Sequence, residues 1–381
     1  MSETAKPRTQ GLRGQGARRD SSAQRRHDDK TPGCRVNHGG STAFNMGTTA
    51  RASAAALALA LLISSLLLGV ARGASLVQIK DDIGANPTKV GFYIFVPDKL
   101  AAKPAVLVNP HWCHGTASAA YTGSQFAALA SRHGFIVIYP NSPHSADQCW
   151  DVSSAETLAH GAGGDSQGIV SMVKWTLAKY GGDASRVFVT GVSSGAMMTN
   201  VLVGAYPDVF AAGSAFSGVP FGCFAAPGNN SGVYGYWSDD CAKGKVKHSP
   251  AEWAALVAAA YPTYGSAWRP KLQVFHGTRD EVLNYANFGE AVKEWTAVLG
   301  LAAAPTATAL NTPVAGWTKT VYGPNGWFEA YSAAGVSHNI QVQEDTDMLQ
   351  ACAVFFLISP TTVHQNNRLR GSSSHSDSGL Q

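Results

Sequence analysis

Residues 186–206, RVFVTGVSSGAMMTNVLVGAY, constrain the rest of the chain more than any other stretch. Val187, Phe188 and Val189 form a short apolar run that predicts a buried strand. The run ends at Gly191-Val192-Ser193-Ser194-Gly195, a G-x-S-x-G pattern. Beyond it Ala196, Met197, Val201, Leu202 and Ala205 recur at roughly helical spacing. A strand turning sharply into a helix around a serine is the setting of a nucleophile elbow. Such a turn strains the serine backbone, and only small neighbours such as Gly191 and Gly195 fit beside it. The Ser193 hydroxyl then projects above the sheet, and the amide of Ser194 faces a developing oxyanion at the helix N-terminus. The chain holds 40 glycines, so the pentapeptide alone is a weak signal. Its meaning depends on whether the chain supplies a base, an acid and a second oxyanion donor.

The flanking sequence alternates in the same way. Strand-like runs fall at 92–96, 105–108, 135–139, 272–275 and 327–331, with helical patterns at 118–133, 165–180 and 345–357. Short strands separated by helices of 10–15 residues predict an α/β fold: a mostly parallel sheet with helices on both faces. One catalytic domain over about residues 75–360 is the economical division. The formal charge of +4 is unevenly spread: residues 1–45 carry a net +5, and residues from 74 onward a net −3. The body is mildly acidic, and no basic face predicts nucleic acid as a partner. Residues 1–45 read as a disordered leader or a gene-model extension, with Met46 the expected start, and residues 361–381 as a disordered tail. Residues 46–73 have the anatomy of a secretory signal peptide: a short positive region, a continuous apolar core and small residues before Ala74. The alternative is a membrane anchor. The expected mature form is secreted, extracellular and free of the membrane.

Cysteine usage agrees with an oxidising compartment. Cys34 lies in the leader, and Cys352, in an apolar helical run, is the candidate free thiol. Cys113 with Cys149 and Cys223 with Cys241 are candidate bridges, although sequence does not fix the pairing. Asn229-Asn230-Ser231 is a glycosylation sequon.

An acyl-transfer serine needs an imidazole to take its proton and a carboxylate to hold that imidazole. In α/β-hydrolases they follow in the order Ser, Asp/Glu, His. The predicted strand at 272–275 runs into His276-Gly277-Thr278-Arg279-Asp280, which makes Asp280 the candidate acid, with Glu281 the alternative. His276 stands too close to Asp280 in sequence to be the base and is assigned to shaping the loop. His338, in a small-residue loop after the last predicted strand, is the candidate base. The second oxyanion donor belongs to the loop after an early strand, and the amide of Cys113 is the candidate there. Zinc at His111, Cys113 and His114 competes with the disulfide for Cys113 and lacks the three or four converging ligands a site needs. No metal and no cofactor are expected. Trp112, Trp150, Tyr285 and Trp327 lie near these loops and are candidates for stacking on substrate, against the alternative that they anchor the core.

Taken together, H-W-C-H-G at 111–115, C-W-D at 149–151, G-G-D-S at 163–166, G-V-S-S-G-A-M-M-T-N at 191–200, F-S-G-V-P at 216–220, H-G-T-R-D at 276–280 and G-V-S-H at 335–338 resemble the secreted fungal acetylxylan esterases. These belong to carbohydrate esterase family 1, in the wider esterase/poly-hydroxybutyrate-depolymerase group. The resemblance spans about residues 76–358, with departures at His114 and Arg279. It implies an α/β-hydrolase fold, a Ser193–Asp280–His338 triad and an oxyanion hole at Cys113 and Ser194. It also implies action on acetylated xylan of the plant cell wall, by a protein expected to be a monomer. Feruloyl esterase and polyester depolymerase are the near alternatives. A non-catalytic carbohydrate-binding protein is the alternative from another class.

Overall fold

The computed structural model describes residues 73–228, 230–265 and 268–340. The leader, almost all of the signal segment, Asn229, Cys352, the closing helix expected at 345–357 and the tail lie outside the described residues.

Among the described residues ten strands form one sheet: β1 (Val77–Ile79), β2 (Gly91–Phe95), β3 (Val106–Val108), β4 (Ile136–Asn141), β5 (Val187–Val192), β6 (Ala212–Phe216), β7 (Lys271–Gly277), β8 (Ala307–Leu310), β9 (Trp317–Tyr322) and β10 (Phe328–Ala333). Their order is β1-β2-β4-β3-β5-β6-β7-β10-β9-β8. From β4 to β10 every neighbouring pair is parallel, and the outer pairs are antiparallel. The helices are α1 (Ala117–Thr122), α2 (Phe126–His133), α3 (Ala155–Leu158), α4 (Gly164–Tyr180), α5 (Ser194–Ala205), α6 (Asp239–Ala242), α7 (Pro250–Ala260) and α8 (Ala286–Val298).

Alternation along the central strands divides the core in two. Val106, Val108, Val187 and Val189 pack with Val170 and Val173 of α4, Leu202 of α5, Trp253 of α7 and Trp295 of α8. Leu107, Val137 and Phe188 point the other way and pack with Phe126 and Leu129 of α2. Successive side chains on a strand face opposite sides, so strands buried on both faces must be apolar throughout. That is why Val187, Phe188 and Val189 carry no polar alternation. A parallel sheet covered by helices on both faces, with its elbow after β5, is the α/β-hydrolase arrangement.

The structure corrects the single helix expected over 118–133. It is two, because Gly123 closes α1 with its amide on the Ala119 carbonyl and the Ser124 hydroxyl takes the Ala120 carbonyl. Strand β6, helices α7 and α8, and the edge strands β1, β8 and β9 were not anticipated. α7 did carry a sequence signal: Ser249, Pro250 and Glu252 form a capping box with proline at the first turn.

Helix α8 also buries a carboxyl. Glu294 is wholly inaccessible; its Oε1 accepts the Phe221 amide at 2.8 Å, and Oε2 has no hydrogen-bond partner among the described residues. Burial pushes its pKa well above the carboxylate range, against the Phe221 bond. The folded chain therefore keeps a proton that the unfolded chain releases, and stability falls as pH rises above the unfolded value of about 4.3. Glu294→Gln keeps an acceptor for Phe221 and removes the titration. Its melting temperature should exceed that of the wild type at pH 8, with the gap closing towards pH 4; a gap that does not change with pH would contradict the assignment.

Candidate active site

The C-terminal end of β5 delivers Ser193 with φ 57° and ψ −121°, a positive φ that residues other than glycine rarely adopt. The flanking glycines are required by contact. A Cβ on Gly191 would lie 2.5 Å from the Gly195 carbonyl carbon, and one on Gly195 would lie 2.1 Å from the Pro110 carbonyl oxygen. The elbow is thus pressed against the loop after β3. Gly195→Ala must push these two segments apart, and displacements near 1 Å at a reacting centre cost about 10²-fold in rate. Steady-state kinetics should show a kcat loss of that order; an unchanged kcat would contradict this packing.

His338 Nε2 lies 2.9 Å from Ser193 Oγ, and its Nδ1 lies 2.9 Å and 3.0 Å from the two carboxylate oxygens of Asp280. The three side chains proposed from sequence, 145 residues apart at the extremes, form one hydrogen-bonded line. Asp280 Oδ1 also accepts the amides of Val282 and Leu283. The carboxylate therefore both shapes its turn and holds the imidazole. His276 Nε2 stands 3.1 Å from Asp280 Oδ2 and 2.8 Å from the Leu283 carbonyl. An acceptor-only carbonyl at that distance requires the proton on Nε2, so His276 braces the acid loop. Burial raises the Asp280 pKa, but hydrogen bonds from His276, His338 and the Leu283 amide outweigh it and hold the carboxyl well below its ordinary range. Glu281 takes a different part: its Oε2 accepts the main-chain amide of His338 at 3.1 Å and does not hold the ring.

The loop after β3 is fixed from several sides. Cys113 is bonded to Cys149, and a second bridge joins Cys223 to Cys241. Both ring nitrogens of the buried His111 are engaged. Nε2 accepts the Ser142 amide at 3.1 Å, so Nδ1 carries the proton and donates to the Trp112 carbonyl at 2.7 Å. Burial lowers the pKa of His111, against the Trp112 bond, and favours this neutral form. Trp150 ties the loop to the elbow: its indole N–H donates to the His111 carbonyl, and its amide donates to Ser194 Oγ, both at 2.7 Å. The amides of Cys113 and Ser194 donate no hydrogen bond within the described residues.

Ser193, His338, Cys113 and Ser194 all line one cleft of about 1330 Å³. Of the four aromatic candidates, Trp112 lines it while 38% exposed, and Trp150 lines it while 2% exposed as a loop anchor. Tyr285 and Trp327 do not line the cleft. The Tyr285 hydroxyl is 2.7 Å from Ser332 Oγ and its ring stacks on Phe288, whereas the Trp327 ring sits beside the Lys271 ammonium. The cleft wall also includes Phe216, Phe224, Tyr236 and Trp237, which sequence reasoning missed. The run Val233, Tyr234, Tyr236, Trp237, each at least 37% exposed, was the signal: apolar side chains in a glycine-rich loop without a period.

A serine of positive φ after a parallel strand, with an imidazole on it and a carboxylate on the imidazole, is the arrangement that serine hydrolases use. Residues 90–309 match the esterase PHB depolymerase family model. The chain is 49% identical over 268 residues to acetylxylan esterase A of Emericella nidulans, covering 70% of this chain and 86% of the relative. It is 45% identical over 277 residues to feruloyl esterase B of Talaromyces stipitatus, covering 73% and 75%. The solved acetyl xylan esterase from Aspergillus awamori superposes with a TM-score of 0.67 at 44% identity, covering 71% of this chain and 96% of that one. The chain belongs to the esterase/PHB depolymerase family.

Proposed function

We propose that the protein is a secreted serine esterase that removes acetyl groups from xylan. The observation that carries this reading is the Ser193–His338–Asp280 line, opening onto a cleft beside two amides without partners among the described residues. Relatives named acetylxylan esterase, nearly half identical over most of both chains, support the substrate. His338 Nε2 takes the Ser193 proton as Oγ attacks the acetyl carbonyl. The tetrahedral oxyanion rests on the amides of Cys113 and Ser194, and losing one such donor typically costs about 3–4 kcal/mol. Collapse expels the sugar oxygen, which leaves with the proton from Nε2. Water then attacks the acetyl-enzyme, giving its proton to His338. Acetate departs and Ser193 recovers its hydrogen. Asp280 stays ionised and holds the ring in the tautomer that keeps Nε2 free to accept.

Trp112, Tyr236 and Trp237 offer exposed aromatic faces on the cleft, suited to the apolar face of a pyranose ring. The protein acts without a cofactor and as a monomer. Two disulfides support an extracellular site of action, and the secreted form is expected to start near Ala74. The Talaromyces relative favours one second reading, feruloyl ester hydrolysis. Release of acetate and of ferulate from native xylan, measured side by side, separates the two. Acetate should dominate by at least about tenfold, the discrimination that roughly 1.4 kcal/mol of differential binding supplies; dominant ferulate release would transfer the assignment.

A further inference from the structure

The F-S-G-V-P motif at 216–220 has no part in the steps above. In the structure β6 ends there, and two consecutive residues touch all three segments that carry the triad. The Phe216 carbonyl accepts the Ser193 amide at 2.9 Å, and the Ser217 amide donates to the Phe275 carbonyl of β7, the strand leading to Asp280, at 2.8 Å. The Ser217 hydroxyl donates to the His338 carbonyl at 2.9 Å. Ser217 is wholly buried and has φ 53°, a left-handed conformation that a non-glycine residue keeps only where its surroundings impose it.

Among the described residues, the other hydrogen bonds from the histidine loop to neighbouring segments run to the acid loop, apart from the His338 Nε2–Ser193 Oγ contact itself. Gly335 donates to Thr278 Oγ1, Arg279 donates to the Val336 carbonyl, and His338 itself reaches Glu281 and Asp280. The Ile340 amide also reaches the His338 carbonyl, at 3.0 Å, but lies within the same loop. These bonds set His338 relative to Asp280. They leave its distance from Ser193 to be fixed from the elbow side, where Ser217 follows directly on the residue that holds the Ser193 amide.

We propose that Ser217 is a positioning residue for ester hydrolysis: its hydroxyl pins the main chain of His338 to the strand that holds the elbow and so sets where Nε2 stands against Ser193 Oγ. The inference rests on the reading of Ser193, His338 and Asp280 as the reacting groups. Two variants test it. Ser217→Ala removes the hydroxyl and keeps the side-chain clash of positive φ. Ser217→Gly removes the hydroxyl and relieves that strain.

Both should lose about 10- to 100-fold in kcat on p-nitrophenyl acetate, the scale of a sub-ångström misplacement, with KM within about twofold. The rate of Ser193 phosphonylation by a fluorophosphonate should fall in parallel. A merely conformational role predicts that Gly restores what Ala loses, or that the loss follows the melting temperature and vanishes on cooling; either result overturns the proposal. Wild-type kcat in both variants overturns it as well. Ser193→Ala separates the two levels: if it stays inert while the Ser217 variants are fully active, only this inference fails, whereas an active Ser193→Ala removes the reading of the site.

Discussion

Ser193→Ala should reduce kcat by about 10⁴-fold or more while the protein folds normally, and His338→Ala should do the same. Alanine keeps the Cβ of Ser193, so the positive φ and the contacts of Gly191 and Gly195 are unchanged. The melting temperature of Ser193→Ala should therefore stay within a few degrees of wild type, since surface-like changes without lost packing are worth about 0.5 kcal/mol. The double variant should be hardly worse than either single one. In the proposed mechanism nucleophile and base act on one proton, and removing either abolishes the same step. A double variant slower by the product of the two losses would mean that the residues act separately.

Asp280→Asn is the second large effect, and its cause is a conflict of donors. An asparagine that keeps its oxygen towards the Val282 and Leu283 amides must present its NH₂ where Oδ2 now meets His338 Nδ1 and His276 Nε2. Both nitrogens carry protons in the working arrangement. His338 then turns to the tautomer with hydrogen on Nε2, which cannot accept the Ser193 proton. Loss of kcat by about 10³- to 10⁴-fold is expected. Stability changes with pH in a defined sense. The Asp280 carboxyl is held below its ordinary range, so its contribution is fully present above the unfolded value of about 3.9 and disappears as pH falls through the folded value. Asp280→Asn should melt below wild type at pH 7, with the difference shrinking in acid below about pH 4. An undiminished kcat would pass the acid's role to another group; a melting difference that grows in acid would contradict the charge state.

The elbow was legible because its causes are local: a strand, two glycines forced by contact and a helix lie within twenty residues. Asp280 and His338 were legible because each follows a strand in the order the fold demands. The strand between the elbow strand β5 and the acid strand β7 was not. β6 reads A-G-S-A-F, with no apolar alternation, because its neighbours leave no room. A Cβ on Gly213 would come within 2.9 Å of Val203 Cγ1, so closeness to α5 selects small residues and hides the strand. Ser217 shared that invisibility, since its partner lies 121 residues away. Tyr285 and Trp327 show the opposite error. They stand near the acid and histidine loops in sequence, yet each ring is engaged away from the cleft. The aromatic wall at Tyr236 and Trp237 comes from a loop whose course no periodic signal records.

The hydroxyl of Ser193 as the acyl acceptor is tested most directly by trapping. Protein inactivated with a fluorophosphonate and digested should carry one phosphonyl group, on the peptide containing Ser193, with activity lost in proportion to that label. The His338→Ala protein should label at least about 10²-fold more slowly. Stoichiometric inactivation with the group on any other residue, or full esterase activity with Ser193 labelled, would contradict the account.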